Sequence, residues 1–424
     1  MMTQPRVIIF STVWPEPDSS AAGVRQMHWV HLFLGMGYGV TLVSPAKEKS
    51  EDDWGSITLP SGVDRLSLPL NRESIRDDLR ALSPAIVMFD RFFLEEQYGP
   101  HVYDACPNAL ILMETQDLHF VRRARDGVKG AYLTTSELPR DFYRTESALR
   151  ETASILRVDF SFLVSSFEEQ LLREEFGLGS AKVKWVPFFY ERPIAVKESR
   201  LPFGSKKDFC WIGNFRHEPN IDGLRWFRQE IWPLIRAQLP DARIHVYGAY
   251  PPKEVMDWNN ARNGFEVKGS ALTLEEVFEE ARVNVAPLRF GAGVKGKIIE
   301  GFRFGVPCVT TKVGVEGLFG QFPGIEANTP IDFANACVRL HESETEWKKF
   351  SLMALEKMME VCAASARVPE LRQLIESLQA RKQGGDLPDW TSRVLRSEAN
   401  FSRIYFAKWI EEKEKGQRQG HSES

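Results

Sequence analysis

Short apolar runs rich in β-branched residues alternate with amphipathic stretches along most of the chain. The runs "RVIIFST", "GVTLVSP", "PAIVMFD", "ALILMET", "FSFLVSS" and "VKWVPFF" have strand length, while stretches such as "VRQMHWVHLFLGM" and "FEEQLLREEFG" between them carry the helical period. That alternation predicts a parallel sheet with helices on both faces. Residues 191–208, "ERPIAVKESRLPFGSKKD", interrupt it with prolines and mixed charges and read as a linker. A second series follows in "FCWIG", the helix "IDGLRWFRQEIWPLIRAQLP", "RIHVYG", "VNVAPLR" and "VPCVTT", and from about residue 330 the text is helical. The predicted class is α/β, two doubly wound Rossmann-like domains at 1–190 and 209–385. A Trp-bearing helix over 386–415 is expected to cross back onto the first domain, and 416–424 reads as a disordered tail.

Composition narrows the setting. With 424 residues, 43% hydrophobic, the chain is long enough for two or three cores at roughly 150 residues per domain. A net charge of -4 removes any global attraction to nucleic acid or anionic membrane. The five cysteines are odd in number, scattered and set in apolar runs, with no zinc spacing, so reduced thiols in the cytoplasm are expected. No apolar run approaches the ~18 residues of a membrane span.

The candidate chemistry centres on "GAGVKGKIIEG", residues 291–301. Gly291, Gly293 and Gly296 satisfy G-x-G-x-x-G, and Gly291, Gly296 and Lys297 satisfy the phosphate-loop pattern except at Ile298, which has no hydroxyl to offer Mg²⁺. The strand "VNVAPL" precedes the loop and the helix "KIIEGFRF" follows, so backbone N–H groups and a positive helix end would face an anion. Lys297 and Glu300 share one face of the first turns, a cation for a diphosphate and a carboxylate for ribose hydroxyls. Glu316, about 20 residues past Gly296, keeps a dinucleotide reading open. A turn whose glycines only permit close helix-sheet packing, with a surface ion pair beside it, remains the plain alternative.

The segments "WIGNFRHEPNIDGLRWF", "EIWPLIRAQLPDARIHVYG", "VAPLRFGAGVKGKIIEGFRFGVPCVTT" and "VGVEGL" resemble the donor-binding half of family 4 (group 1) glycosyltransferases of the GT-B fold, from Cys210 to Leu318. The resemblance implies a retaining, metal-independent transfer of a sugar from a nucleoside-diphosphate sugar, in a cleft between two Rossmann-like domains and with no bound cofactor. It places Glu300 on the donor ribose and Arg216, after the turn that holds Gly213, opposite the diphosphate. The Lys partner that the family keeps after that arginine would fall on Ile221, so Lys295 or Lys297 is left to compensate. Gly291, Gly293 and Val294 would turn backbone N–H groups to the phosphates, and Glu316 is a second acid near the donor. The first glutamate of the family's E-x7-E motif falls on Ala292, which leaves the contact to the donor sugar without its usual residue.

The first domain would carry the acceptor. Gly23 and Arg25 open its first helix after the long loop "STVWPEPDSS", and Glu114, Asp117 and His119 leave the sheet edge after "ALILM". His119 beside a carboxylate is the expected contact to the transferred sugar. No D-x-D occurs in the chain, in keeping with a site whose lysine, arginine and helix end replace Mg²⁺. Acceptors of three kinds stay open: a glycan, a lipid-linked molecule or a small molecule. The arginines at 122, 123, 125, 140, 144, 150 and 157, with Lys129, would suit a peripheral membrane contact, but interleaved glutamates favour a solvated face. The alternatives to a glycosyltransferase of glycan biosynthesis are a GT-B sugar-nucleotide epimerase, a dinucleotide-dependent oxidoreductase and a nucleotide-sugar-binding protein without turnover.

Overall fold

A computed structural model describes residues 4–17, 20–47, 59–70, 74–128, 137, 139–191 and 203–399. The expected linker over 192–202, Lys129, residues 400–415 of the crossing helix and the tail lie outside the described residues.

Two parallel sheets organise the chain. The first joins β1 (Arg6–Phe10), β2 (Gly39–Ser44), β3 (Val63–Ser67), β4 (Ile86–Asp90), β5 (Leu110–Glu114), β6 (Phe160–Leu163) and β7 (Val183–Trp185) in the order β3-β2-β1-β4-β5-β6-β7. The second joins β8 (Asp208–Ile212), β9 (Ile244–Tyr247), β10 (Phe265–Gly269), β11 (Ala281–Ala286), β12 (Cys308–Thr310) and β13 (Ile325–Glu326) in the order β10-β9-β8-β11-β12-β13. β4 and β5 are buried at every position, as strands covered on both faces must be. Strand order reverses at β1/β4, where Val7 pairs with Ile86, and at β8/β11, where Phe209 pairs with Val283. Ligands of open α/β sheets bind outside the carboxyl ends of the strands at such reversals.

The sequence pattern foresees every strand except β3, β10 and β13. β3 is half-exposed and reads "VDRLS", while β13 has two residues, so neither offers a run of apolar positions. The expected helix from Ile221 to Pro240 forms in three parts: Glu218–Trp226, a π-helical stretch Phe227–Ile231 and Trp232–Gln238. Pro233 lacks an N–H, and the Trp232 N–H reaches back five residues to the Phe227 carbonyl.

The return to the first domain begins earlier than residue 386. The helix Ala364–Gln383 buries Leu371, Ile375 and Leu378 in the same apolar cluster as Val7, Ile9 and Leu110 of the first sheet. Those positions share one helical face, and Tyr38 Oη closes the contact on Gln379 at 2.8 Å. Further on, Lys182 Nζ meets Ser392 at 2.7 Å and Arg396 meets Asp159 at 2.7 Å. The outgoing and returning segments are joined through their backbones, where the Tyr190 N–H donates to the Cys362 carbonyl and the Ala364 N–H donates to the Tyr190 carbonyl, both at 2.8 Å. All five cysteines are buried free thiols. Among the described residues no helix is long and apolar enough to cross a membrane, and no His, Cys, Asp and Glu side chains group as metal ligands would.

Candidate active site

The carboxyl ends of the two sheets enclose a cleft of about 620 Å³. Its first wall carries Glu16, Arg91, Gln116, Asp117 and Arg122; its second carries Gly213, Asn220, Tyr250 and the loop from Phe290 to Lys297, with Glu300 behind. Four described residues other than glycine have positive φ, and three of them, Arg91, Gln116 and Tyr250, line this cleft. Such conformations cost about 1–3 kcal/mol each and persist where the surroundings hold them. Here Gln116 Nε2 is tied to Asp90 Oδ1 at 2.8 Å and the Arg91 N–H to the Glu114 carbonyl at 2.7 Å.

The glycine loop is pressed against the first domain. Gly291 and Gly293 have φ of 137° and 64°, and a Cβ on Gly293 would stand 2.8 Å from the Cβ of Asp117. A Cβ on Gly296 would stand 2.5 Å from the Cβ of Ala21. Two helix N-termini, those of Ala21–Gly35 and Gly296–Arg303, therefore converge on one space. The second has no side-chain cap, since Lys295 occupies that position. Lys295 instead turns its Nζ to the Ala292 and Gly293 carbonyls, bracing the loop, and burial pushes its ammonium down to about 8.

Lys297 is partly buried, with Nζ 2.7 Å from Asn220 Oδ1 and 4.6 Å over the Trp211 ring. Burial pushes its ammonium down to about 7. Glu300 is buried, accepting from Tyr190 Oη at 2.7 Å and from Arg303. Gly213 borders the same corner, where a Cβ would come within 2.9 Å of Lys297 Nζ. Val294 completes the wall.

Other expected residues take different places. The guanidinium of Arg216 stacks 3.5 Å from the Tyr250 ring on the exposed surface, outside the cleft lining, and Tyr250 Oη reaches Glu16 across the mouth at 3.2 Å. Arg25 and Glu114 pair beneath the cleft floor, with Arg25 Nε and Nη2 at 3.1 and 2.9 Å and Trp29 Nε1 at 2.7 Å from one carboxylate oxygen. Gly23 lets the loop after β1 fold onto its helix, since a Cβ there would fall 2.5 Å from the Glu16 carbonyl. Glu316 pairs with Arg125, which also donates to the Gly291 carbonyl, joining the two domains behind the loop. Ala292 lines the cleft and packs against the apolar core of the first domain.

Asp117 and His119 separate in role. Burial would push the Asp117 carboxyl up, but Arg122 at 3.2 Å, together with His119, Arg91 and Lys295, holds it below the usual carboxylate range. His119 lies behind it, buried, with Nε2 3.6 Å from Asp117 Oδ1 and its ring edge-on to Phe92 at 5.4 Å. Burial pushes the imidazole down to about 4, so it is neutral near pH 7, and it does not line the cleft.

Two acids absent from the sequence expectations hold this region together. Glu168 Oε1 accepts from the Leu118 N–H at 3.1 Å and from the Gly293 N–H at 2.9 Å, one from each domain. Glu151 accepts from the His119 and Phe120 N–H groups at 3.1 and 3.0 Å. Together they satisfy the N-terminal N–H groups of the helix His119–Asp126. Burial pushes both carboxyls up to about 8. The available signal is an acid on the apolar face of a helix, as in "RETASIL" and "FEEQLL".

Comparison with known proteins agrees with this fold. Residues 206–343 match the model of the family described as glycosyl transferases group 1. An uncharacterized 44.6 kDa protein of the cps region of Klebsiella pneumoniae is 24% identical over 171 residues, covering 35% of this chain and 41% of that relative, so the match spans under half of the relative's length. A sucrose-phosphate synthase from Thermosynechococcus elongatus is similar in fold with a TM-score of 0.63 at 16% identity, covering 89% of this chain and 100% of its own. Anabaena HepE, solved in complex with UDP and glucose, gives a TM-score of 0.60 at 10% identity over 88% of this chain and 99% of its own. Residues 206–343 are thus similar to the group 1 glycosyltransferases, and the chain as a whole has the GT-B fold of these solved structures.

Proposed function

We propose that the chain moves a sugar from a nucleoside-diphosphate donor on the second domain to an acceptor on the first, with retention at the anomeric carbon and without a bound metal. The observation that carries this reading is the convergence of Lys297 and the uncapped N-terminus of Gly296–Arg303 on the cleft, under a loop held in positive φ by Gly291 and Gly293. A diphosphate seated there meets an ammonium, backbone N–H groups and a helix dipole, the set of charges that a departing diphosphate needs. Glu300, oriented by Tyr190 and Arg303, is positioned to accept from ribose hydroxyls. The complex of HepE with UDP and glucose, on a similar fold, supports this donor class.

In the transfer, the bond from the anomeric carbon to the diphosphate oxygen breaks and its electron pair stays on that oxygen. The acceptor hydroxyl attacks from the same face, and its proton passes to the oxygen that departs. Lys297 and the helix end stabilise the charge as it develops, and the domain contacts at Gly293 and Gly296 exclude water. Arg216 joins only by leaving the Tyr250 ring, a change that donor binding at the cleft mouth would drive. The buried free thiols suit a reducing compartment, so the proposed location is the cytoplasm.

A thermal-shift titration with UDP, GDP, ADP, dTDP and NADH tests the donor class. One nucleoside diphosphate should stabilise the protein by about 2.7 kcal/mol at 100 times its Kd, and Glu300→Ala should weaken that response. Stabilisation by NADH alone would refute the reading, and loss of a nucleotide sugar without acceptor, the nucleotide still attached, would indicate an epimerase.

A further inference from the structure

The first domain's side of the cleft holds a guanidinium that the carboxylates Asp90 and Asp117 influence through space but that no described side chain hydrogen-bonds. Arg91 follows β4 and lines the cleft, its Nε is fully covered without a hydrogen-bond partner, and among the described residues no hydrogen bond or ion pair engages its guanidinium. Its backbone stands at φ 80° and ψ 155°, a region occupied almost solely by glycine. A glycine would relieve that conformation, yet the position carries an arginine. Arg122 lines the same wall and pairs with Asp117 at 3.2 Å, which leaves the hydrogen-bonding fork of Arg91 unengaged although Asp90 and Asp117 lie within its electrostatic reach. The cation for the donor diphosphate, Lys297, sits on the opposite wall beside Asn220.

We propose that the acceptor is anionic and that Arg91, with Arg122, grips its phosphate or carboxylate. This rests on the donor assignment above, because it gives the first wall to the acceptor. A guanidinium presents a planar fork of donors that matches an oxyanion with two parallel hydrogen bonds, and covered surroundings strengthen that contact. A neutral sugar hydroxyl would engage at most one donor of the Arg91 fork and leave the others unpaired in a half-enclosed site. The oxyanion can belong to a soluble sugar phosphate or sugar acid, or to a lipid headgroup.

Isothermal titration of the wild-type protein, with and without the nucleoside diphosphate that stabilises it, would use glucose 6-phosphate, glucuronate and glucose. Co-sedimentation with phosphatidylcholine vesicles, with and without phosphatidic acid, covers the lipid source. Binding of at least one anionic probe and not of glucose or plain phosphatidylcholine is expected, and which probe binds separates the two sources. Arg91→Gln and Arg91→Gly should each weaken that binding about tenfold or more, with Arg91→Lys between them and wild type, while nucleotide affinity is unchanged. Arg91→Gly should melt at or above the wild-type temperature, so a loss of binding in that variant is not a loss of fold. Glucose binding as well as the anions, no anion binding at all, or anion binding that survives both variants would overturn the proposal. A fall in nucleotide affinity in both variants would also overturn it, by assigning Arg91 to the donor. Failure of every nucleoside diphosphate to bind wild type would instead remove the donor reading, and the titrations without nucleotide would still decide for or against the anion site.

Discussion

Gly296 and Ala21 meet across the cleft so closely that a Cβ on the glycine would stand 2.5 Å from the Cβ of the alanine. Both atoms belong to backbone-fixed positions at the first turns of two helices, so neither can rotate away. Gly296→Ala should therefore wedge the domains apart. Nucleotide affinity, which depends mostly on the second domain, should change by a few-fold, while kcat/KM falls on the order of 10²-fold as the reacting groups separate. Ala21→Gly in the same chain should restore much of the loss, a coupling that steady-state kinetics on the double-mutant cycle would measure. Equal losses with and without Ala21→Gly would show that the contact does not set closure.

Glu168 accepts one N–H from each domain and is protonated near neutral pH, since burial lifts it to about 8 from an ordinary 4.5. Between those values the folded protein holds a proton that the unfolded chain releases. The associated stability is fully present below about 4.5 and is lost as pH rises through 8. Glu168→Gln keeps a neutral acceptor and should make stability fall less steeply from pH 6 to pH 9, as urea unfolding at the two pH values would show. Glu168→Ala leaves the Leu118 and Gly293 N–H groups buried without this partner and should cost about 1–3 kcal/mol at pH 6.

The strand succession and the glycine loop are legible in the sequence because each depends on local signals, apolar runs for β1, β4 and β5 and glycines after a strand for 291–296. What depends on the meeting of two domains is not. Glu168 reads as one more helix acid until Gly293 is brought to it, and Arg91 reads as a charge at a strand end until its φ and its missing partner are known. The position of Arg216 is unforeseen for the complementary reason: its place after the "GNF" turn fits the family pattern, but Tyr250, 34 positions on, offers its guanidinium a ring face at the surface. The crossing is legible only in its last part: the Trp390 segment does meet the first domain, through Leu387, Ser392 and Arg396, but the apolar contact begins earlier, at Leu371, Ile375 and Leu378.

Tyr190 links the backbone junction of the outgoing and returning segments to the candidate ribose acid. Its backbone bonds Cys362 and Ala364, and its hydroxyl donates to Glu300 at 2.7 Å. Tyr190→Phe removes that hydroxyl and keeps the ring, over which Arg303 lies at 4.0 Å. Glu300 then retains only Arg303 among these two partners and loses orientation. Nucleoside-diphosphate affinity should fall roughly 3–10-fold, the range of one hydrogen bond of about 1 kcal/mol. The corresponding 2′-deoxynucleotide should lose less, and equal losses for the two nucleotides would separate Tyr190 from ribose recognition.

Lys297 makes donor binding a proton-linked event. Burial holds its ammonium at about 7, against 10.5 for an exposed lysine. The folded protein therefore binds fewer protons than the unfolded chain between about 7 and 10.5, and over that window stability contributed by this group rises with pH. A diphosphate reverses the preference, because two or more negative charges beside Nζ favour the ammonium. Binding above pH 7 must then take up a proton, and the affinity for the nucleoside diphosphate should fall with pH from 7 to 9, by up to about tenfold per unit. Titration calorimetry at pH 8 in two buffers of different ionisation heat would count the proton directly. Lys297→Met should bind weakly and abolish most of that uptake. Lys295, held at about 8 by burial but turned to the Ala292 and Gly293 carbonyls, should account for what remains. A Kd unchanged between pH 7 and 9 in the wild-type protein would mean that Nζ does not meet the diphosphate.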